Sequence, residues 1–379
     1  MTGVNETAGI GDPVELLRSA FGRPGEIGTV TAPGRVNLIG EHIDYHGLAV
    51  LPMALGRRIR MAWRRRDDRQ IRAVSNSQYG IREFEWAPGL ERVAAGDWEN
   101  YLRAAAQTVS GKWGLGYGID AAIVSDLPPA AGLSSSSALI VAFTLGLLHA
   151  NGYNPTFEEL MDVLPEGEQF VGTRGGGMDH AASLASRPGF ASLIGFNPVT
   201  VRYIPVPEDW GFLVAHSGVT AEKSAGAREE YNARRKAGST ALEKLGLASY
   251  HEATPEMAAC LENERERDAF LHVSSEAARV EAAVIAMKAA DAEAFGRLLL
   301  ESHRSLRDRL RISCLALDRL VENAMDAGAA GARLTGGGFG GCAVIFAKRS
   351  QLESIGGKLS SPLVIEAEPS AGALYQPSI

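Results

Sequence analysis

Cysteine is scarce in this 379-residue chain: Cys260, Cys314 and Cys342 are three in number and far apart. That excludes a disulfide framework and a zinc-site spacing, and it points to a reducing compartment. A basic surplus is missing as well. The net charge of -7 excludes nucleic acid as the expected main partner. No run of about 18 apolar residues passes without a charge or a break. The opening MTGVNETAGIGDPVELL has neither the basic start nor the apolar core of a secretion signal, so no membrane partner and a cytoplasmic location are expected. Repeats and low-complexity tracts are also lacking. The absence of G-x-x-x-x-G-K-[ST] excludes a Walker-type loop, and the absence of H-R-D and D-F-G excludes a protein kinase. One G-x-G-x-x-G exists, at Gly336, Gly338 and Gly341, but a β-branched run follows it where a dinucleotide fingerprint needs a helix. What remains, 45% hydrophobic and 22% charged, is a soluble globular chain long enough for two domains.

The most informative stretch is LPPAAGLSSSSALIVAFTLGLLHANG, from Leu127 to Gly152. Two prolines and a small-residue turn give way to four serines and then to an apolar run that surrounds a helix on all sides, which predicts a buried helix ending at Gly152. Hydroxyls of Ser134 to Ser137 are expected to cap its first turn. Gly132 and the free N–H groups there suit a bound anion. A well-capped core helix is the equal alternative.

Upstream, GTVTAPGRVNLIGEHIDYHGLAVLPMAL predicts a strand from Val30, bent at Pro33-Gly34 and continued over Val36 to Ile39. Glu41, His42, Asp44, Tyr45 and His46 follow as a dense polar cluster. It reads either as a solvated loop or as donors and acceptors for sugar hydroxyls, with Arg35 able to offer its fork to a phosphate. The arginine-rich RRIRMAWRRRDDRQIRAVSNS predicts a hairpin turning at Asp67-Asp68, with a solvated charged face. Helices are expected over Pro13 to Phe21, Asp97 to Trp113 and Thr156 to Leu164, and a strand over Tyr117 to Val124. In EGEQFVGTRGGGMDHAASLAS, Asp179 follows a glycine bend at a helix start. Ordinary dipole chemistry and a general base for a hydroxyl proton explain it equally well. A hairpin is expected over Phe190 to Ile194 and Val199 to Ile204, then a domain break at Pro205 to Asp209. Beyond it come a strand, a charged helix that is solvent-facing by default and carries Tyr231, and helices over Ala277 to Ala290, Ala292 to Leu310 and Leu315 to Ala327.

Taken together, PGRVNLIGEHIDY resembles the galactokinase signature, and GLSSSSA and LTGGGFGGC resemble the second and third motifs of the GHMP kinase superfamily. GGGMDH, EEYNARR and SHRSLRDRLRISCLALDRL are similar to galactokinase segments too, so the likeness covers essentially the whole chain in the right order. It implies an α+β, two-domain GHMP kinase fold: an N-terminal domain of the ribosomal S5 type over residues 1–205, and a ferredoxin-like domain over residues 206–379. It further implies transfer of the γ-phosphate of ATP to the anomeric C1 hydroxyl of a galactose-type sugar, with Mg2+.

By the same resemblance Asp179 takes the place of the catalytic base and Arg35 that of the group steadying base and phosphate. Glu41, His42, Ile43, Asp44, Gly177, Asp179 and Tyr231 fall where the family holds the sugar. Ala130, Ala131, Gly132, Leu133, Ser134, Ser135 and Ser136 match the nucleotide loop, with Ser75 at its border. Ser136 and Glu168 match the Mg2+ ligands, and Gly336 to Gly340 are expected to brace the site. Ile43, His46 and His180 stand where many galactokinases carry Thr, Asn and Gln, and the pattern is similar to N-acetylgalactosamine kinases as well. Galactose is the first reading, and N-acetylgalactosamine or an arabinose-type sugar the second. A non-catalytic sugar and ATP sensor is the rival class, disfavoured because Arg35, Ser136 and Asp179 are all in place. A monomer is expected, with a homodimer as the alternative.

Overall fold

The structure is a computed structural model that describes residues 11–374 apart from 24, 76–78, 115, 130, 173–174 and 221–224. Its first helix, α1 (Pro13–Phe21), starts where Asp12 accepts the Val14 N–H at 3.0 Å and Pro13 supplies a preset φ. A five-stranded sheet follows, built from β1 (Gly28–Ile39), β2 (Leu51–Arg65), β3 (Gln70–Val74), β4 (Ile81–Glu85) and, after α2 (Glu99–Lys112), β5 (Ile119–Ser125). Its spatial order is β1-β2-β5-β3-β4. Strand β1 is buried at every residue from Ala32 onward. Its pairing with β2 slips between Pro33 and Arg35, because Pro33 has no N–H to give a ladder.

The strands on either side of Asp67-Asp68 form as expected, but they are not each other's partners. Strand β5 lies between them, antiparallel to β2 and parallel to β3. A cluster of ion pairs accompanies this order. Asp120 on β5 stands opposite Arg64 on one side and Arg72 on the other. It accepts from Arg64 at 2.7 Å, Arg66 at 3.0 Å and Arg72 at 2.7 Å. Three of the eight arginines that read as a solvated face, Arg64, Arg66 and Arg72, are instead the shell of a buried carboxylate.

Helix α3 (Ser135–Ala150) is buried at every residue from Ser137 to Leu148. As its continuous apolar run predicts, it packs on α2, β1 and β2. Its serines do not cap it: the N-cap, Ser134, sits at φ +57° and makes no side-chain cap bond. The expected helix over Thr156 to Leu164 is two, α4 (Phe157–Met161), closed by a Thr156/Glu159 capping box, and α5 (Leu164–Phe170) with Pro165 in its first turn. Next come α6 (Met178–Ala185) and the hairpin of β6 (Phe190–Gly195) and β7 (Thr200–Pro205).

The remaining elements are β8 (Trp210–His216), α7 (Ala225–Lys244), α8 (Glu264–Lys288), α9 (Ala292–Asp308), α10 (Leu315–Asp326), β9 (Gly331–Thr335), β10 (Cys342–Lys348), α11 (Leu352–Gly356) and β11 (Val364–Glu366). Their four strands form an antiparallel sheet in the order β11-β8-β10-β9. Helix α7 is not simply solvent-facing, since Ala237 and Ala241 are buried and it packs on α8. Helix α8 begins well before the expected Ala277, at a cap where Asn263 accepts the Glu266 N–H. Its charged first turns hide the period that runs on behind them. One apolar core joins both sheets, from Ile39 and Phe143 to Phe212, Phe295 and Phe346. All three cysteines are free thiols, and among the described residues no helix is long and apolar enough to cross a membrane.

Asp120→Ala is expected to destabilise the protein by about 2 to 3 kcal/mol, less than the roughly 3 to 5 of a fully buried pair because the guanidiniums keep some contact with water. Burial works against its ionisation, yet the hydrogen bonds from Arg72, Arg64 and Arg66 hold its folded pKa below 3.8. Its contribution is therefore complete above 3.8 and lost as pH falls through the lower folded value. Urea melts of wild type and variant at pH 7 and pH 3 check both statements, which predict a smaller gap at the lower pH.

Candidate active site

The slip in β1 turns Arg35 inward. Its backbone N–H donates to Leu133 O at 3.2 Å. Such closeness needs Gly34, because a Cβ there would stand 2.5 Å from the Leu133 carbonyl oxygen. The Arg35 guanidinium then donates from Nε to Asp179 Oδ1 at 2.7 Å and from Nη1 to Gly132 O at 2.8 Å. Asp179 lies in the first turn of α6, behind Gly177 at φ +98°, where the helix dipole favours a carboxylate. Its other oxygen accepts from Ser134 Oγ at 2.5 Å. Burial alone would push the Asp179 carboxyl up; Arg35, with the Ser134 hydroxyl, outweighs it and holds the group below the usual carboxylate range. Three segments distant in sequence thus meet on one carboxylate.

Beside this pair, Ser137 Oγ donates to Glu168 Oε1 at 2.5 Å and lies 3.5 Å from Asp179 Oδ2. The serines serve these two carboxylates instead of capping α3. From the sequence Ser137 is expected only to cap α3, although its place three residues after Ser134 puts both near one face. Ser136, half-buried, lies between them in the chain. Hydroxyls and a carboxylate are the hard oxygen donors that Mg2+ prefers, and no group of three His, Cys, Asp or Glu side chains poised for a metal occurs among the described residues. The two residues expected to hold the ion, Ser136 and Glu168, both carry oxygen donors of the kind Mg2+ takes, and Glu168 is engaged by Ser137. His180, wholly buried, has its Nε2 4.0 Å from Glu168 Oε1.

The polar cluster after β1 is a wall, not a solvated loop. Glu41 and His42 are buried. Glu41 Oε1 accepts from Gly336 N–H at 2.7 Å and Thr335 Oγ1 at 3.2 Å, with Arg333 Nη2 3.4 Å away. His42 Nδ1 is 2.7 Å from the Tyr45 hydroxyl, and its ring lies 4.9 Å from that of Tyr231. Burial lowers its pKa to about 3, so the imidazole is neutral. Asp44 Oδ2 accepts the Gly176 N–H at 3.0 Å, which ties this loop to the glycine bend. Burial and then the charge of Asp179 raise the Asp44 carboxyl to about 6. Ile43 differs: its side chain is packed in the apolar core, so it supports the wall from beneath.

Around the nucleotide loop, Ala131 and Leu133 are buried in the core and Ser135 is half-buried. Ala130 falls outside the described residues. A Cβ on Gly336 would stand 3.0 Å from Gly132 O, so the glycine turn between β9 and β10 rests on this loop. Ser75, just beyond β3, donates to Ile123 O at 3.1 Å on β5, the strand that leads into the loop. It belongs to the same end of the sheet. Arg333, His272 and Glu276, fully buried and close to the Glu41 loop, escaped sequence reading. A lone arginine inside the apolar ARLT was the one available signal.

This fold, with its serine loop and glycine turn, defines a kinase of the GHMP class. Residues 100–187 match the GHMP kinases N terminal domain and residues 283–365 the GHMP kinases C terminal domain. The mevalonate kinase of Methanococcus jannaschii shares the fold at a TM-score of 0.65 and 18% identity, over 92% of this chain and 99% of that one. Residues 15–65 match the galactokinase galactose-binding signature. Galactokinases of Roseiflexus sp. (strain RS-1) and Streptomyces coelicolor are 36% and 34% identical, over 86% and 95% of this chain and 84% and 96% of their own lengths. The crystal structure of Lactococcus lactis galactokinase complexed with galactose superposes at a TM-score of 0.87 and 26% identity, covering 95% of this chain and 97% of that one. The chain belongs to the galactokinase family.

The raised pKa of Asp44 has a stability consequence. Its neutral form is the better fit to the fold, so its contribution is present below the unfolded value of 3.8 and is lost as pH rises through about 6. Asp44→Asn, which keeps an acceptor for Gly176, is expected to be more stable than wild type by roughly 2 kcal/mol at pH 8 and nearly equal to it at pH 4. Denaturant melts at the two pH values measure this.

Proposed function

We propose that this protein transfers the γ-phosphate of ATP to the anomeric C1 hydroxyl of galactose, giving α-galactose 1-phosphate, with Asp179 as the base and Arg35 beside it. The observation that carries the reading is the 2.7 Å ion pair between these two, set where the Glu41 loop, the glycine bend and the serine loop meet.

Glu41, His42, Asp44 and Tyr231 hold the sugar hydroxyls, and the N–H groups opening α3 hold the phosphates. Ser136 and Glu168 would hold Mg2+, which would supply neutralising charge for the phosphate oxygens when bound. The sugar O1–H donates to Asp179, which is ionised because Arg35 keeps it so. As O1 bonds to the γ-phosphorus and the bond to the ADP oxygen breaks, O1 acidifies and its proton passes to the carboxylate. Asp179 is a weak base in the ground state, so this transfer comes late, and positioning carries most of the rate. Arg35 also spans to Gly132 O, fixing base and nucleotide loop as one unit. Unpaired thiols, Cys260 exposed among them, support a reducing, cytoplasmic setting.

Asp179→Asn is expected to lower kcat by about a thousandfold or more while galactose still binds. Arg35→Ala is expected to lose less. Coupled ADP-release assays on galactose, N-acetylgalactosamine, arabinose and glucose, with calorimetric sugar binding, test both the mechanism and the sugar. Full activity in Asp179→Asn would remove the base. Wild type that binds galactose and ATP without releasing ADP would make the protein a sensor.

A further inference from the structure

The loop bearing Glu41 is held from behind by side chains that phosphoryl transfer does not use. On α8, Glu276 Oε1 accepts the Gly40 N–H at 3.0 Å, and His272 Nε2 lies 3.0 Å from the Glu41 carbonyl oxygen. Both residues are fully buried. A carbonyl oxygen only accepts, so His272 Nε2 carries a proton. Burial lowers the pKa of this ring to about 4, which leaves it neutral with a single N–H. Its Nδ1, 2.9 Å from Ser305 Oγ on α9, is therefore the acceptor of the serine O–H. The environment thus selects one tautomer. Glu276 also accepts from Ser302 at 2.6 Å and from Arg279 at 2.8 Å.

From β9, Arg333 Nη1 donates to the carbonyls of Asn37 at 3.0 Å and Leu38 at 2.9 Å. Its Nη2 faces Glu41 Oε1, the same oxygen that takes Gly336 N–H and Thr335 Oγ1. The contacts to the Glu41 carboxylate converge on Oε1, which leaves Oε2 as the oxygen for a sugar hydroxyl. Backbone and carboxylate are thereby fixed from one side, by elements more than two hundred residues downstream.

We propose that His272, Glu276 and Arg333 are positioning residues for the sugar: they touch no reactant, and they set the backbone of residues 37–41 and the aim of Glu41 so that the sugar lies against Asp179. The proposal rests on the sugar-kinase reading above. Their direct contacts are with the Glu41 loop, and they reach the serine loop only through the glycine turn whose Gly336 N–H Glu41 accepts.

His272→Phe is expected to raise the galactose KM about tenfold, the effect of a lost hydrogen bond to a buried carbonyl, with the ATP KM within about twofold and kcat reduced less than the galactose KM rises. His272→Gln, which can still donate to the Glu41 carbonyl, should recover part of the loss. Should His272→Phe not fold, Ser305→Ala gives the milder test, a smaller rise in the same constant. Nitrogen-15 NMR of wild type should show His272 as the neutral Nε2–H tautomer. A galactose KM unchanged in these folded variants, an ATP KM raised as much as the galactose KM, or an Nδ1–H tautomer overturns the proposal. If wild type shows no turnover, the kinase reading fails by itself, and calorimetric galactose affinity of the same variants still decides the positioning role.

Discussion

A buried charge must be matched, and the Arg35–Asp179 pair is where this structure meets that demand. Arg35 is 5% exposed, and leaving either partner alone would cost several kcal/mol. The pair forms where β1 slips at Pro33 and where Gly34 lets the strand approach Leu133 O, and it draws in Gly132 O and Ser134 Oγ. Strand, helix and loop are thereby fixed before any ligand arrives. That is the preorganisation phosphoryl transfer relies on, because little covalent help is asked of the protein.

The same cleft separates two carboxylates by environment. Asp179, with a guanidinium and a hydroxyl on its oxygens, is held low, whereas Asp44, buried near that negative charge and partnered mainly by backbone, rises to about 6. Groups pushed apart in this way take different work. The low one stays ionised and, in the proposed reaction, is the group that would take the hydroxyl proton. The high one passes from its neutral to its charged form near pH 6.

Much of this could be read from the chain. The buried helix α3 followed from its unbroken apolar run, the β6–β7 hairpin from its alternation, and the sites on Arg35 and Asp179 from family segments. Pairing partners were harder. The alternation around Ile59 and Ile71 marks two strands but carries no information on what lies between them, and Asp120, which their arginines share on β5, is one carboxylate about fifty residues away. The serine hydroxyls misled for a similar reason: capping is a local rule, and Asp179 and Glu168 compete for the same hydroxyls from afar. His272 and Glu276 look ordinary in their own segments, Arg333 stands out only as a lone arginine in an apolar strand, and only folding shows all three behind Glu41.

The support behind Glu41 also sets a sequence of events during synthesis. Strand β1 emerges early, but Gly40, Glu41 and the carbonyls of Asn37 and Leu38 gain their fixed partners only when residues 272 to 336 have left the ribosome. Such long-range closure is slow compared with local helix formation. A nascent first half therefore carries the Glu41 loop without its fixed partners, and any ligand that binds only the completed assembly favours the finished chain over its partly formed precursors.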